Sequence, residues 1–310
     1  MLLASAEGHY SCHSVLLVTT SEFLLKLMTH FLADDGEKIY LQVSGEGQAL
    51  ILLHGWTSSR QEWLPFVDQL SVHHRVFRYD ARGHGGHHPT NPTNPTNPTE
   101  PTVQRMAQDL RNLIERFDLR DTVVVGHSMG ALTLWQYIND YGCDRLSKVC
   151  FIDQSPKLLT DDHWPHGIYG DFNDRRAASF LQALKSDFAE SVLTLSAYGL
   201  NKRAREKYEE KAQGFERIRS ILKKLDPLPL IRCWQSLTEA DYRETLARIA
   251  IPTLLIYGGE SNYYHSTTAH YVHRQIAGAI LRIYENTDHS PHQWQRERFS
   301  SDLLEFMSTP

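Results

Sequence analysis

The sequence has little that would tie it to a metal, a membrane or a nucleic acid. Its four cysteines, Cys12, Cys143, Cys150 and Cys233, are spread over 310 residues without C-x-x-C spacing. That argues against a zinc site or a disulfide framework and leaves buried reduced thiols as the expectation. No segment reaches the roughly 18 uninterrupted apolar residues that a membrane-spanning helix requires. Residues 14–28 come nearest, and Thr19, Thr20, Ser21, Glu22 and Lys26 interrupt them. Residues 1–13 contain no lysine or arginine, so the basic start of a secretory signal is missing. A net charge of −5 supplies no basic field for nucleic acid. The expectation is a soluble, cytoplasmic protein that acts on a small molecule, with no nucleic-acid or membrane partner and no metal. Nothing in the sequence sets an oligomeric state.

What is present begins at residues 121–138. A β-branched run, Thr122 to Val125, leads into Gly126-His127-Ser128-Met129-Gly130, and apolar residues then recur at helical spacing. This reads as strand, sharp turn and helix with a serine at the apex, the arrangement that gives a G-x-S-x-G motif its meaning. A serine hydroxyl is a weak nucleophile, so Ser128 needs a base within reach and donors for the oxyanion that its attack creates. Gly126 and Gly130 lack the side chains that would clash where strand and helix close on each other.

At 41% hydrophobic content the chain can bury a full core as one large domain or as a domain with an insertion. Residues 1–27 show neither alternation nor a helical face, and the globular pattern starts at Met28; residues 1–27 are expected to be an extension outside the fold. Phe31 to Val43 alternate around Asp35-Gly36, a hairpin signal. Residues 49–53 form a continuous apolar run of the kind found in strands buried on both faces, ending in His54-Gly55-Trp56. The glycine allows a tight turn that leaves the Trp56 amide free to point at a ligand. Another strand, Arg75 to Tyr79, closes in Asp80-Ala81-Arg82-Gly83-His84-Gly85, a turn expected to be structural. His84, His87 and His88 have no carboxylate or cysteine at ligand spacing, so a metal reading is declined.

Pro89 to Thr102 repeat Asn-Pro-Thr at 91–93, 94–96 and 97–99, a low-complexity loop biased towards an extended path. Val103 to Phe117 return to an amphipathic helix with Met106, Leu110, Leu113 and Ile114 on one face. Leu146 to Ile152 form a buried strand before Asp153. Residues 175–250 are helical in pattern, with Phe180, Leu184, Phe188 and Val192 sharing a face. Strands resume at Pro252 to Tyr257, before Gly258-Gly259-Glu260-Ser261, and at Ala279 to Tyr284, before Asp288-His289-Ser290-Pro291-His292. A helix over 296–307 closes the chain.

Short apolar strands separated by helices predict an α/β fold: a mostly parallel central sheet with helices on both faces and an inserted helical cap. The expected division is a core of 28–153 and 252–310 with a cap of 154–251. Ligands of such sheets bind at the carboxyl ends of the strands, where Trp56, Ser128, Asp153, Glu260 and His289 all fall. Here the chain resembles the α/β-hydrolase family over roughly residues 29–308, through HGW at 54–56, DARGHG at 80–85, GHSMG at 126–130 and DHSPH at 288–292. The resemblance implies that Ser128 attacks, that His289 is general base and then acid, and that the amides of Trp56 and Met129 bind the oxyanion. It implies no cofactor. Family members usually carry the third member of the triad three residues after the glycine that ends the penultimate strand, and Ser261 stands there. Asp153 is preferred as the acid, with Glu260 as the other candidate.

Three functions fit these residues. The first is hydrolysis of an ester, lactone or related acyl substrate through an acyl-serine intermediate. The second is a cofactor-independent, ring-cleaving dioxygenase of the same fold, a kind of family member in which the acid follows the earlier strand and a tryptophan follows the glycine of the HG pair. The third is a non-catalytic ligand-binding module, against which Ser128 and His289 count. A serine rather than an aspartate at the elbow argues against dehalogenase and epoxide hydrolase chemistry. Candidate residues lining the substrate pocket are His163, Trp164, His166, Tyr169 and Trp234.

Overall fold

The computed structural model describes residues 28–85 and 100–309. Residues 1–27, the Asn-Pro-Thr repeats, Cys12, His87 and His88 lie outside the described residues. Eight strands form one sheet: β1 (Met28–Leu32), β2 (Lys38–Ser44), β3 (Gln48–Leu53), β4 (His74–Tyr79), β5 (Thr122–His127), β6 (Leu146–Ile152), β7 (Thr253–Gly258) and β8 (Ile280–Tyr284). Their order is β1-β2-β4-β3-β5-β6-β7-β8. β1 and β2 pair antiparallel around Gly36, which sits at φ 81°, and β2 pairs antiparallel with β4. All other neighbours are parallel.

The apolar runs are buried on both faces, and the two-residue period of a strand divides them between two cores. Ile51, Leu53 and Val124 face one core, shared with Met106, Leu110 and Leu113 of α1 (Val103–Arg116) and with Trp135 of α2 (Met129–Tyr141). Leu50, Leu52, Val123 and Val125 face the other, shared with Trp63 and Phe66. The predicted face of α1 is buried, and the Thr102 side chain caps its start by accepting from Arg105 N–H at 3.1 Å.

Between β6 and β7 run five helices of two turns or more: α3 (Asp174–Ser186), α4 (Phe188–Ala197), α5 (Lys202–Glu209), α6 (Gln213–Leu222) and α7 (Pro227–Glu239). The Phe180–Val192 face spans two helices. Asp187 ends α3 in an extended conformation and caps α4, its carboxylate accepting from Glu190 N–H at 3.1 Å. Asn201 caps α5 in the same way, and Asp226 with Pro227 at the first helical position opens α7. After β7 come α8 (Ser266–Gln275) and, beyond β8, α9 (Arg296–Ser308), whose Phe299, Leu303 and Phe306 complete the second core. Among the described residues, no helix is long and apolar enough to cross a membrane.

Candidate active site

Ser128 stands between β5 and α2 at φ 53° and ψ −117°, a strained backbone for a residue with a side chain. The strain has a packing cause. A Cβ on Gly126 would lie 2.5 Å from the Gly130 carbonyl oxygen, and one on Gly130 would lie 2.4 Å from that of Leu53. Strand, helix and β3 thus meet backbone to backbone, and the serine at the bend is lifted out of the sheet.

His289 lies in the loop after β8. Its Nε2 is 2.9 Å from Ser128 Oγ and its Nδ1 is 2.6 Å from Asp153 Oδ2. A carboxylate can only accept, so Nδ1 carries the proton and Nε2 is left to accept from the serine hydroxyl. Asp153 follows β6 at φ 45°. Its carboxylate also accepts from Gly258 N–H at 3.2 Å and from Ser261 Oγ–H at 2.7 Å. The Asn262 side chain accepts from the His289 N–H at 3.2 Å, and the Tyr263 ring stands edge-on to the imidazole at 4.5 Å. Burial first, and the charge on Asp288 and Asp153 after it, push the Tyr263 hydroxyl up to about 12, so it stays neutral beside the imidazole.

Sequence reasoning leaves two carboxylates open, and the geometry separates them. Asp153 meets His289. Glu260 turns away and pairs with Arg203 at 3.3 Å. Ser261, three residues past Gly258, hydrogen-bonds the very carboxylate that would otherwise be redundant with an acid at that position.

Trp56 and Met129 border the same cavity as Ser128 and His289. Met129 opens α2, and an amide at the first position of a helix has no intrahelical acceptor. The Trp56 indole N–H donates to Leu230 O at 2.9 Å, and its ring packs on Trp234 at 4.7 Å, so the side chain ties the turn after β3 to α7. The cavity measures about 660 Å³ and is walled mostly by apolar side chains, among them Val192, Leu195, Ile218, Leu222, Trp234 and Leu237 from the helical insertion. A second cavity of about 640 Å³ shares Thr57, Val192, Ile218, Tyr263 and Ser290 with it and carries Lys207, Glu260 and Trp294.

Of the predicted lining residues, Trp234 alone borders the first cavity. Trp164 and His166 pack against Tyr271 at 4.8 and 5.1 Å, the Tyr169 hydroxyl bonds Leu195 O, and His163 is exposed. The Asp80–Arg82 turn is structural, as expected: Asp80 accepts from Arg60 N–H at 2.8 Å, and Arg82 pairs with Asp109 and Asp35.

A second set of ionisable groups lies behind Ser128, and no local motif announces it. Glu62, in the helical turn Arg60–Phe66, has its Oε1 2.7 Å from His127 Nδ1 and 3.1 Å from His292 Nε2, while its Oε2 accepts from Gly55 N–H at 3.1 Å. Burial alone would raise the Glu62 carboxyl, but the two imidazoles hold it well below the usual range. Burial would lower His127, and Glu62 overcomes this and raises it. His292 is pushed down to about 4, by burial first and by the charge on His127 second. The three side chains lie within 4.8 Å of one another, close enough to be weighed as a metal set. The hydrogen bonds that they share occupy the atoms a metal would need.

Residues 48–295 match the family described as alpha/beta hydrolase fold. The chain is 27% identical over 289 residues to a non-heme chloroperoxidase, CPO-A1, of Kitasatospora aureofaciens, covering 88% of this chain and 97% of that one. It is 27% identical over 274 residues to a pimeloyl-[acyl-carrier protein] methyl ester esterase of Vibrio cholerae, covering 86% and 97%. An esterase structure from Exiguobacterium antarcticum is similar at a TM-score of 0.76 and 21% identity, covering 91% of this chain and all of that one (100%). A bromoperoxidase structure from Bacillus anthracis is similar at 0.75 and 23%, with the same coverage (91% and 100%); these structures share the fold.

Proposed function

The chain belongs to the α/β-hydrolase family, and on that premise we propose that it is a serine hydrolase cleaving an ester, a lactone or a related acyl substrate through an acyl-serine intermediate. The observation that carries this is the continuous relay from Ser128 Oγ through His289 to Asp153, at 2.9 and 2.6 Å. Ser128 Oγ attacks the acyl carbonyl and His289 Nε2 takes its proton. The Trp56 and Met129 amides receive the oxyanion, and the C–O bond to the leaving group breaks as His289 returns the proton to that oxygen. Water then repeats the sequence: His289 takes its proton, hydroxide adds to the acyl carbon, and Ser128 leaves with the proton restored. Asp153 accepts from His289 Nδ1–H and holds the imidazole in the working tautomer.

We assign residues 28–153 and 252–310 to the hydrolase core and 154–251 to a cap, because insertion side chains wall the cavity above Ser128. The apolar wall suits a hydrophobic acyl or aryl group. A cytoplasmic setting agrees with the free thiols of Cys150 and Cys233, both buried. Hydrogen peroxide in place of water would release a peracid, and the chloroperoxidase relative makes that assay worth running beside hydrolysis.

One observation favours a second reading. The acid follows β6, with a serine at the later position, and Trp56 follows Gly55, features that also fit a cofactor-independent dioxygenase that opens a heteroaromatic ring. A panel of p-nitrophenyl esters of graded chain length, beside lactones, tests the first reading: a burst of p-nitrophenol followed by turnover is expected. Oxygen uptake on a hydroxyquinolone, with no ester or lactone turned over, would overturn it in favour of the second.

A further inference from the structure

His127 stands between two groups that can only accept. Its Nδ1 faces the Glu62 carboxylate at 2.7 Å and its Nε2 faces the His289 main-chain carbonyl at 2.9 Å. A neutral imidazole donates from one nitrogen and would set a lone pair against an acceptor at the other; only the doubly protonated ring satisfies both. Glu62 is suited to be its counter-charge, since it also accepts from His292 Nε2–H and Gly55 N–H, a crowd of donors that favours a carboxylate over an acid. His292 completes the set as a neutral ring, because its Nδ1 is buried without a partner. The groups facing the His127 ring are therefore Glu62 from the turn after β3, His289 and His292 from the segment after β8, and Asp153 at the end of β6. The two histidine rings stand 5.0 and 4.6 Å from it.

We propose that His127 is a positioning residue: an imidazolium paired with Glu62 that grips the main chain of His289 and so sets that imidazole over Ser128. The inference rests on His289 being the base. The same carboxylate holds the Gly55–Trp56 turn through the Gly55 N–H, and a Cβ on Gly55 would come within 3.1 Å of His127 Nδ1. Nucleophile, base and oxyanion strand are thus tied into one charged knot. The raised His127 and lowered Glu62 described above agree with this assignment. A divalent ion is the competing occupant. Metal–nitrogen bonds of about 2.0–2.1 Å spread tetrahedral ligands to roughly 3.3 Å, wider than the 2.7 Å between Glu62 and His127. It would also leave His292 Nδ1 without the hydrogen bond that orients a ligating histidine.

Two measurements test this. Nitrogen-15 spectra of the histidine rings in the native enzyme read the protonation state directly: His127 is expected to carry both ring protons at neutral pH. In Glu62→Gln the alkaline limb of kcat/KM is expected to move to lower pH by about one unit or more. The plateau is expected to fall about a hundred-fold, mostly in kcat, with the fold intact by circular dichroism. A singly protonated His127 at neutral pH overturns the proposal, as does an unmoved limb in a folded Glu62→Gln. One equivalent of tightly bound divalent metal that His292→Ala removes would do the same. Loss of fluorophosphonate labelling at Ser128 in the native enzyme would indict the reading of the base instead. Labelling retained with an unmoved limb would indict the positioning claim alone.

Discussion

Two knots of buried charge flank the sheet, and they do different work. Around Arg82, which is 0% exposed, the guanidinium donates to Asp109 at 2.6 and 2.8 Å and pairs with Asp35 at 2.7 Å. Arg105 bonds the same Asp109 at 3.0 Å. An arginine keeps its proton at any ordinary pH, and a bidentate fork fixes its geometry. Around Ser128 the basic groups are histidines, whose proton can leave, and the carboxylates Asp153 and Glu62 hold rings rather than forks. The first knot joins the hairpin, the β4 turn and α1 into one body. The second opens on a cavity of about 660 Å³ and holds its protons where chemistry can use them. Buried charge therefore reads as structural or reactive according to which cation is present and whether a cavity reaches it.

The sharpest way to break that contrast is to remove the reactive pair. Ser128→Ala and His289→Gln should each lower kcat/KM by about 10³-fold or more, since nucleophile and base act as a unit. Unfolding by urea should shift little in either, and in Ser128→Ala any change should not be a loss, because the strained backbone at φ 53° is kept by packing rather than by the hydroxyl. Asp153→Asn should cost about 10²–10⁴-fold in kcat by favouring the wrong tautomer. Glu260→Gln, in the same assay, should stay within roughly two-fold, because its partner is an exposed arginine worth at most about 1 kcal/mol.

The converse break is Arg82→Met, which leaves Asp109 and Asp35 short of their buried partner. It should cost about 3–5 kcal/mol in denaturant unfolding, while the fraction still folded at low temperature turns over substrate at close to the native kcat. A smaller effect sharpens the comparison by pH. His292 is held at about 4 in the fold, against about 6.5 for an unfolded histidine. Its depressed value makes the unfolded chain the better proton binder between those limits, so stability falls as pH drops from about 6.5 towards 4. The melting temperature of His292→Gln should fall less over that window. Nothing comparable should happen at Arg82.

Much of this architecture is legible in the sequence. The strands β3, β5, β6 and β7 announce themselves because burial on both faces removes alternation and leaves runs such as Leu50–Leu53 and Val123–Val125. The elbow is legible because Gly126, Ser128 and Gly130 are local. The acid of the relay is less so: spacing shows Ser261 at the usual position, but the choice between Asp153 and Glu260 turns on the φ of 45° at Asp153 and on the pairing of Glu260 with Arg203, neither of which spacing reveals. The break at Asp187 is hidden because the apolar face continues across it. Glu62, His127 and His292 are invisible as a group: His127 and His292 sit 65 and 230 residues from Glu62 along the chain, and only the fold brings them together. Trp164 and His166 carry the composition of a pocket wall yet pack on Tyr271, because aromatic content does not say which way a loop faces.

The proposed chemistry requires that Ser128 be a nucleophile activated by His289. Incubation of the intact protein with a fluorophosphonate, followed by peptide mass spectrometry, measures this directly. One adduct per chain is expected, on the peptide that contains Ser128, absent in Ser128→Ala and strongly slowed in His289→Gln. A folded protein that stays unlabelled, or that labels at another residue, would contradict it.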